Sequence, residues 1–441
     1  MDIHSSPLLT DLYQLTMVDS YLQRGMVGPA SFELFSRKLP PGRSFYIAAG
    51  IEETAAWLEN LAFGEDELEW VRSCGHFRPD FADELATMRF TGHLDAVPEG
   101  TVLFPNEPIL RVTAPLPVAQ LVESRLMNLV HIHTLLTSKA ARCVLAAGGR
   151  RLVDFGMRRA HGAEAALAAA RATWIAGFDG TATCLAGALY GIPTVGTMAH
   201  SYILAFEREI DAFRAFADAH PDNVILLIDT YDTMAAAHKV VQLTREGIPV
   251  KGVRLDSGDL ADEARKVRSI FDEGGQQQIQ ILASGNLDEH EITRLIAAGA
   301  PIDGFGTGTL VDTAADQPHL DMAYKLQEYN GQPRRKRSTG KMHWPARKQI
   351  FRVFNEETCA GDTVGLADET LSGSPLLERV LENGKRLGPA TGIQQIRERI
   401  RDNLRQLPPA CLRLDASPEA YPVTISSALE EAAREADSYQ V

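Results

Sequence analysis

VKGVRLDSGDLADEARKVRSIFDEGG, Val250 to Gly275, is the stretch whose reading decides the fold. Its first part is short, apolar and β-branched, and runs out into Arg254, Asp256 and Gly258. Its second part carries charged and apolar residues at helical spacing and ends on a glycine pair. A short strand followed by a helix of this length is the repeating half of a βαβ unit. The unit recurs on both sides. Upstream, NVILLIDT (Asn223 to Thr230) precedes MAAAHKVVQLTREG, which ends on the C-capping candidate Gly247. Downstream, IQILASG (Ile279 to Gly285) precedes DEHEITRLIAAG, and IDGFGTG (Ile302 to Gly308) follows. Further upstream, RLVDFG (Arg151 to Gly156) precedes an Ala-rich helical run from Glu164 to Ile175. IPTVGTM (Ile192 to Met198) precedes another around Phe206 to Ala219. Strands alternating with helices predict a parallel α/β sheet. A doubly wound sheet competes, but so many successive units favour a barrel.

The strand ends carry the functional signal. Each runs into polar or glycine residues: Arg158 and Arg159, His200, Asp229 and Asp232, Arg254 and Asp256, Ser284 and Asn286, Gly306 and Thr307. Catalytic groups of parallel α/β folds gather at the C-terminal edge of the strands. One polar strand end is an ordinary helix cap. Six in succession read as an active-site rim.

The flanks read differently. Residues 1 to about 110 mix helical and strand patterns, with a small β region predicted at PEGTVLFPNEPILRVTAP (Pro98 to Pro115). Val118 to Leu145 is helical and carries Asn128, Lys139 and Arg142. Beyond Ala323 the chain turns basic and strand-like through RRKRSTGKMHWPARKQIFR, and Ile393 to Leu407 is a charged amphipathic helix. The organisation read from this is residues 1–115 and 323–441 forming one α+β domain, with a barrel at 116–322. The 441 residues suit a barrel of roughly 250 residues plus a second module.

Composition narrows the function classes. Charged residues total 44 basic against 58 acidic, a formal net charge of −14. Such a field repels nucleic acid and anionic membranes, so neither is an expected partner. No pair of the five cysteines has metal-finger spacing, and their odd number argues against a disulfide framework. The N-terminus has no basic segment leading an apolar run, and no apolar stretch is long enough to span a bilayer, so a cytoplasmic enzyme is expected.

Several motifs suit an anionic substrate. FGTGT (Phe305 to Thr309) and SGNLDE (from Ser284) place glycines between a strand and a helix, where backbone N–H groups can approach phosphate. Neither is a Walker A loop or a dinucleotide fingerprint. DFGMRRAHG (Asp154 to Gly162) ends a strand on paired arginines, whose forks fit phosphate or carboxylate. GVRLDSGDL sets Arg254 beside Asp256 and Asp259, and IDTYDT adds Asp229 and Asp232. Carboxylates on neighbouring strand ends can share a metal through substrate oxygens. Asp232 and Asp259 read chiefly as helix N-caps. Position alone assigns no role to His200, because a lone histidine past a strand is commonly structural.

These motifs together resemble the nicotinate phosphoribosyltransferase family over nearly the full chain. The matching segments are LLTDLYQLTM (Leu8 to Met17), FELFSRKLP (Phe32 to Pro40), FTGHLDAVPEGTVLFPNEP (Phe90 to Pro108), LTSKAAR, DFGMRRAHG, GFDGTAT, GIPTVGTMAHS, VRLDSGD, SGNLDE, GFGTGT and PARKQIFR. The resemblance implies an incomplete α/β barrel with a second α+β domain from both chain ends, a homodimer, and active sites at its interface. It implies transfer of ribose 5-phosphate from phosphoribosyl pyrophosphate to the ring nitrogen of nicotinate in NAD salvage. Mg²⁺ would assist pyrophosphate departure, and ATP hydrolysis would be coupled through a phosphohistidine.

Carried over by position, His200 is the histidine that ATP phosphorylates. Phe155 stacks on the pyridine ring, with Tyr13 of a partner subunit on the other face. Arg254 pairs with the nicotinate carboxylate. Asp229 and Asp256 serve the metal, ribose and pyrophosphate. Arg159, Arg37 and Lys139 bind anions, while Ser284, Gly285, Asn286, Gly306 and Thr307 meet ribose and 5′-phosphate.

Two departures stand out. Ala182 and Thr183 replace the family's usual Ser-Asn pair after GFDGT, and Ala163 replaces a proline. A nicotinamide-using relative, a quinolinate-type enzyme and an inactive nucleotide-binding barrel are the competing readings.

Overall fold

A computed structural model describes residues 3–338, 342–414 and 420–438. Thr339 to Lys341, within the basic stretch read as strand-like, lie outside the described residues. The chain forms two units: residues 136–318, and residues 1–135 with 319–441. The sequence reading set the barrel at 116–322. The divide falls instead inside the single helix Glu123–Ala147, whose unbroken helical pattern carries no boundary signal.

Residues 136–318 hold six parallel strands in the order Gly180–Thr181, Arg151–Asp154, Gly304–Thr307, Gln280–Ser284, Gly252–Leu255 and Ile225–Leu227. Chain order wraps around this sheet as in a barrel, with the last strand pairing with the first. Closure stops short. Beyond Gly180–Thr181 there is, among the described residues, only a parallel bridge from Thr181 to Thr194. Among the described residues, nothing pairs with the outer edge of Ile225–Leu227. The sheet is therefore an incomplete barrel. IPTVGTM does not become the expected strand, because Pro193 has no N–H for a ladder and Gly191 and Gly196 flank the short run.

The covering helices follow the predicted units: Ala163–Ala176, Glu209–Ala219, Thr233–Arg245, Leu260–Glu273 and Glu289–Ala297. In Leu260–Glu273 the buried residues are Leu260, Ala261, Ala264, Val267 and Phe271, the i, i+3/i+4 face that a sheet-packed helix must offer. Asp232 caps Thr233–Arg245 through Ala235 N, and Asp259 caps its helix through Ala261 N and Asp262 N. Both are N-caps, as their positions predicted. Asp288 does the same through His290 N and Glu291 N.

The other unit is built from both chain ends. Its larger sheet sets Pro29–Ser36 between Met322–Tyr329 and Pro108–Pro115, and His93–Ala96 against Glu378–Glu382, all antiparallel. A second sheet pairs Lys348–Asn355 with Thr358–Leu366. The charged tail helix runs Ile393–Gln406 and buries Ile396, Ile400 and Leu404. All five cysteines are free. No helix among the described residues is long and apolar enough to cross a membrane.

Candidate active site

The first barrel strand ends at Asp154, and the chain turns immediately. Asp154 Oδ1 accepts from Gly156 N at 2.8 Å, and Oδ2 accepts from Thr181 Oγ1 at 2.6 Å. This turn presents Phe155, whose N–H donates to Thr307 O at 2.7 Å and whose ring rests on Gly306. Beneath it, the carboxyl of Asp312 packs on Gly156, with both oxygens buried and, among the described residues, no partner besides the Asp154 carboxyl. Burial, followed by the neighbouring Asp154, pushes the Asp312 carboxyl up to about 9. Burial also raises Asp154, against its bonds from Thr181 and Gly156. Two buried carboxyls side by side hold a proton at neutral pH.

Arg254 reaches across from the fourth strand. Its guanidinium carbon lies 5.9 Å from the centroid of the Phe155 ring, and Nη2 donates to Met198 O at 2.7 Å. Nε is buried without a hydrogen-bond partner among the described residues, and Nη1 stands 3.9 Å from Asp256 Oδ1. Burial draws this guanidinium below its ordinary value, opposed by Asp256 and Asp229 and helped by Arg158. Below the pair, a cavity of about 20 Å³ lined by Val153, Phe155, Arg254, Ala283 and Phe305 has room for about one water. This cavity is too small for a ring-sized ligand.

The carboxylates lie on the same rim. Asp256 Oδ1 accepts from Ser284 Oγ at 2.5 Å. Asp229 Oδ2 accepts from Asp256 N at 2.8 Å and Ser257 Oγ at 2.7 Å, while its Oδ1 is buried with no partner among the described residues. Gly285 adopts φ +99°, and a Cβ there would stand 2.4 Å from Asp256 O, so the loop can approach this backbone only as glycine. Asn286 follows, exposed and at φ +52°. Gly306 and Thr307 are buried within the sheet, with Gly308 and Thr309 reaching the half-exposed edge.

His200 opens the short helix His200–Leu204, half-buried, with Nδ1 3.1 Å from Thr230 Oγ1. In the tautomer whose Nδ1–H donates to Thr230, the Nε2 lone pair is available. Arg158 and Arg159 are exposed on the single turn Met157–Arg159. Neither has an ion-pair partner among the described residues.

The strand-end residues of the barrel unit thus gather on one rim. Tyr13, Arg37 and Lys139 are not strand-end residues of this unit. Tyr13 and Arg37 belong to the second unit, where they line a cleft of about 400 Å³ with Asp11, Glu123 and Met322. Arg37 Nη1 donates to Asp321 Oδ1 at 3.0 Å. The expectation of an anion-binding Lys139 is not met. Its side chain is fully buried and its Nζ pairs with Glu289 Oε2 at 2.6 Å and Asp316 Oδ1 at 2.8 Å. Sequence reasoning missed Asp312, Thr181 and the Met198 carbonyl. An aspartate in the apolar run TLVD was the one available signal; backbone acceptors leave none.

Comparison with known proteins finds likenesses over nearly the whole chain. Sequence models of the nicotinate phosphoribosyltransferase N-terminal domain, family and C-terminal domain match residues 8–131, 150–343 and 369–433. The chain is 46% identical to nicotinate phosphoribosyltransferase pncB2 of Mycobacterium tuberculosis, covering 96% of this chain and 92% of that protein. It is 36% identical to nicotinate phosphoribosyltransferase of Bacillus subtilis, covering 96% and 93%. The crystal structure of human nicotinic acid phosphoribosyltransferase superposes with a TM-score of 0.85 at 28% identity, covering 97% of this chain and 99% of that one.

Proposed function

This chain belongs to the nicotinate phosphoribosyltransferase family, and from that premise we propose that it joins nicotinate to phosphoribosyl pyrophosphate with turnover coupled to ATP through a phosphorylated His200. The observation that carries the assignment of roles is Arg254 over Phe155, an aromatic face and a guanidinium fork on one rim. Nicotinate offers a matching ring and carboxylate. Held there, its ring nitrogen attacks C1 of the ribose as the C1–O bond to pyrophosphate breaks. The nitrogen arrives as a lone-pair nucleophile, so no general base is required. Positioning and charge stabilisation supply the rate.

Asp229 and Asp256 would hold Mg²⁺. Oxygen donors suit a hard cation, and the unpartnered buried Oδ1 of Asp229 is an acceptor awaiting one. No cluster of three or more His, Cys, Asp or Glu among the described residues could hold a metal alone, so substrate oxygens would complete the shell. When bound, the ion neutralises charge developing on pyrophosphate. Arg159 is proposed to meet the same anion. The Ser284–Asn286 and Gly306–Gly308 loops are proposed to receive ribose 5-phosphate.

Support for the ATP step is His200 itself, with Nδ1 engaged by Thr230, which leaves Nε2 as the nucleophile in the tautomer whose Nδ1 carries the proton. The γ-phosphoryl group would pass to Nε2 with release of ADP, and water would later release phosphate. NAD salvage is the proposed route for the product. Tyr13 and Arg37 are proposed to serve the site of a second copy in a homodimer.

The test incubates the protein with phosphoribosyl pyrophosphate and Mg²⁺, offering nicotinate or nicotinamide, each with and without ATP. Nicotinate mononucleotide formed further with ATP is expected, together with label from γ-labelled ATP on the wild type and none on His200→Asn. Full ATP coupling in His200→Asn would sink the histidine role. Product from nicotinamide alone would sink the acid specificity assigned to Arg254.

A further inference from the structure

Lys139 lies in the barrel unit with a side chain fully removed from solvent. A buried ammonium is costly unless paired, and a chain needing only packing there would use an apolar residue. Its two partners are informative. Glu289 opens the helix that directly follows the Ser284–Asp288 loop, and Asp316 stands eight residues after Gly308 (316 − 308). One cation therefore holds carboxylates from the two successive units that end in the rim loops.

We infer that Lys139 is a positioning residue for phosphoribosyl pyrophosphate, tying the Ser284–Asn286 and Gly306–Gly308 loops together from behind through Glu289 and Asp316. The inference rests on the proposal that these loops receive ribose 5-phosphate. Spacing between them decides whether both reach one phosphate, and a single ammonium at 2.6 and 2.8 Å from its partners fixes it. The loop exit is further held by Asp288, which accepts from His290 N and Glu291 N.

The arrangement also separates this tie from folding. Glu289 Oε1 is held independently by Arg142 Nε at 2.8 Å, so removing Lys139 does not orphan Glu289. Burial pushes the Glu289 carboxyl up, but Lys139 and Arg142 outweigh it and keep it ionised. Asp316 has a side chain 33% exposed and can be rehydrated.

The experiment measures KM for each substrate, kcat and Tm in full-length Lys139→Met, Asp316→Asn and Asn286→Ala. Lys139→Met is expected to raise KM for phosphoribosyl pyrophosphate roughly tenfold or more, with KM for nicotinate unchanged, because small misplacements of binding groups are costly. Asp316→Asn should move the same constant in the same direction by less. Equal changes in both KM values, or none, would overturn the positioning role. If Asn286→Ala raises KM for phosphoribosyl pyrophosphate and Lys139→Met does not, the tie is wrong while the phosphate loops stand. If none of the three raises it, the loop assignment fails too. Should Lys139→Met not fold, an unchanged constant in Asp316→Asn overturns the proposal alone.

Discussion

The ring of Phe155 occupies the space that a side chain at residue 306 would need: a Cβ on Gly306 would stand 2.4 Å from both Cδ2 and Cε2 of that ring. Phe155 is also tied by its N–H to Thr307 O, so its backbone cannot retreat. Residue 306 must be glycine for the aromatic face to lie where Arg254 meets it.

Gly306→Ala should therefore displace the ring while leaving the sheet intact. We expect kcat/KM for nicotinate to fall roughly ten- to a hundredfold, since a shift of about 1 Å in a binding group has that effect. Tm should change little. Steady-state kinetics with a thermal melt checks this, and an unchanged kcat/KM would remove Phe155 from the ring-binding role.

Arg254→Lys keeps the charge and loses the planar fork. The ammonium cannot both satisfy Met198 O and pair two-pronged with a carboxylate. Affinity for nicotinate should fall by about tenfold or more, near the ~1.4 kcal/mol per decade of a lost charge-assisted bond. Nicotinamide inhibition should be unaffected. Inhibition constants for the two pyridines decide it, and parallel losses would contradict a carboxylate role.

What the sequence revealed and what it hid divides along physical lines. Arg254, Asp256, Asp229 and Ser284 were legible because short apolar strands of a parallel sheet that run out into polar residues must place them on one edge. Asp232 and Asp259 were legible as caps from position alone. Lys139 misled because its motif, LTSKAAR, shows a cation on a helix but not which face is sealed. Glu289 and Asp316, its partners, lie 150 and 177 residues away (289 − 139, 316 − 139). The failure of IPTVGTM to form a strand was visible in Pro193, whose missing N–H weakens any ladder.

Asp229 carries the metal prediction. One oxygen is committed to Asp256 N and Ser257 Oγ, and the other is buried without a partner. Asp229→Asn puts an amide into this position and removes a negative charge from the rim. The Mg²⁺ concentration giving half-maximal activity should rise roughly ten- to a hundredfold, the range seen when groups orienting a metal site are changed. A Mg²⁺ titration at saturating substrates tests this. Chelation of the wild-type enzyme should abolish turnover, and activity surviving chelation would exclude the metal assignment.

Asp312 gives the last prediction, and its sign follows from linkage. Its carboxyl is raised to about 9 by burial and by Asp154, against roughly 3.9 in an unfolded chain. The folded state therefore binds a proton that the unfolded state releases between those values. Stability from this group is complete below about pH 4 and is lost as pH rises toward about 9. Asp312→Asn keeps an N–H donor for Asp154 and no longer titrates. The variant should be more stable than the wild type at pH 8, with a shallower decline of Tm between pH 5 and pH 9. Thermal melts across that range provide the check. If the wild type and Asp312→Asn show the same slope, the two carboxyls do not share a proton, and the turn that presents Phe155 is held by Thr181 and Gly156 alone.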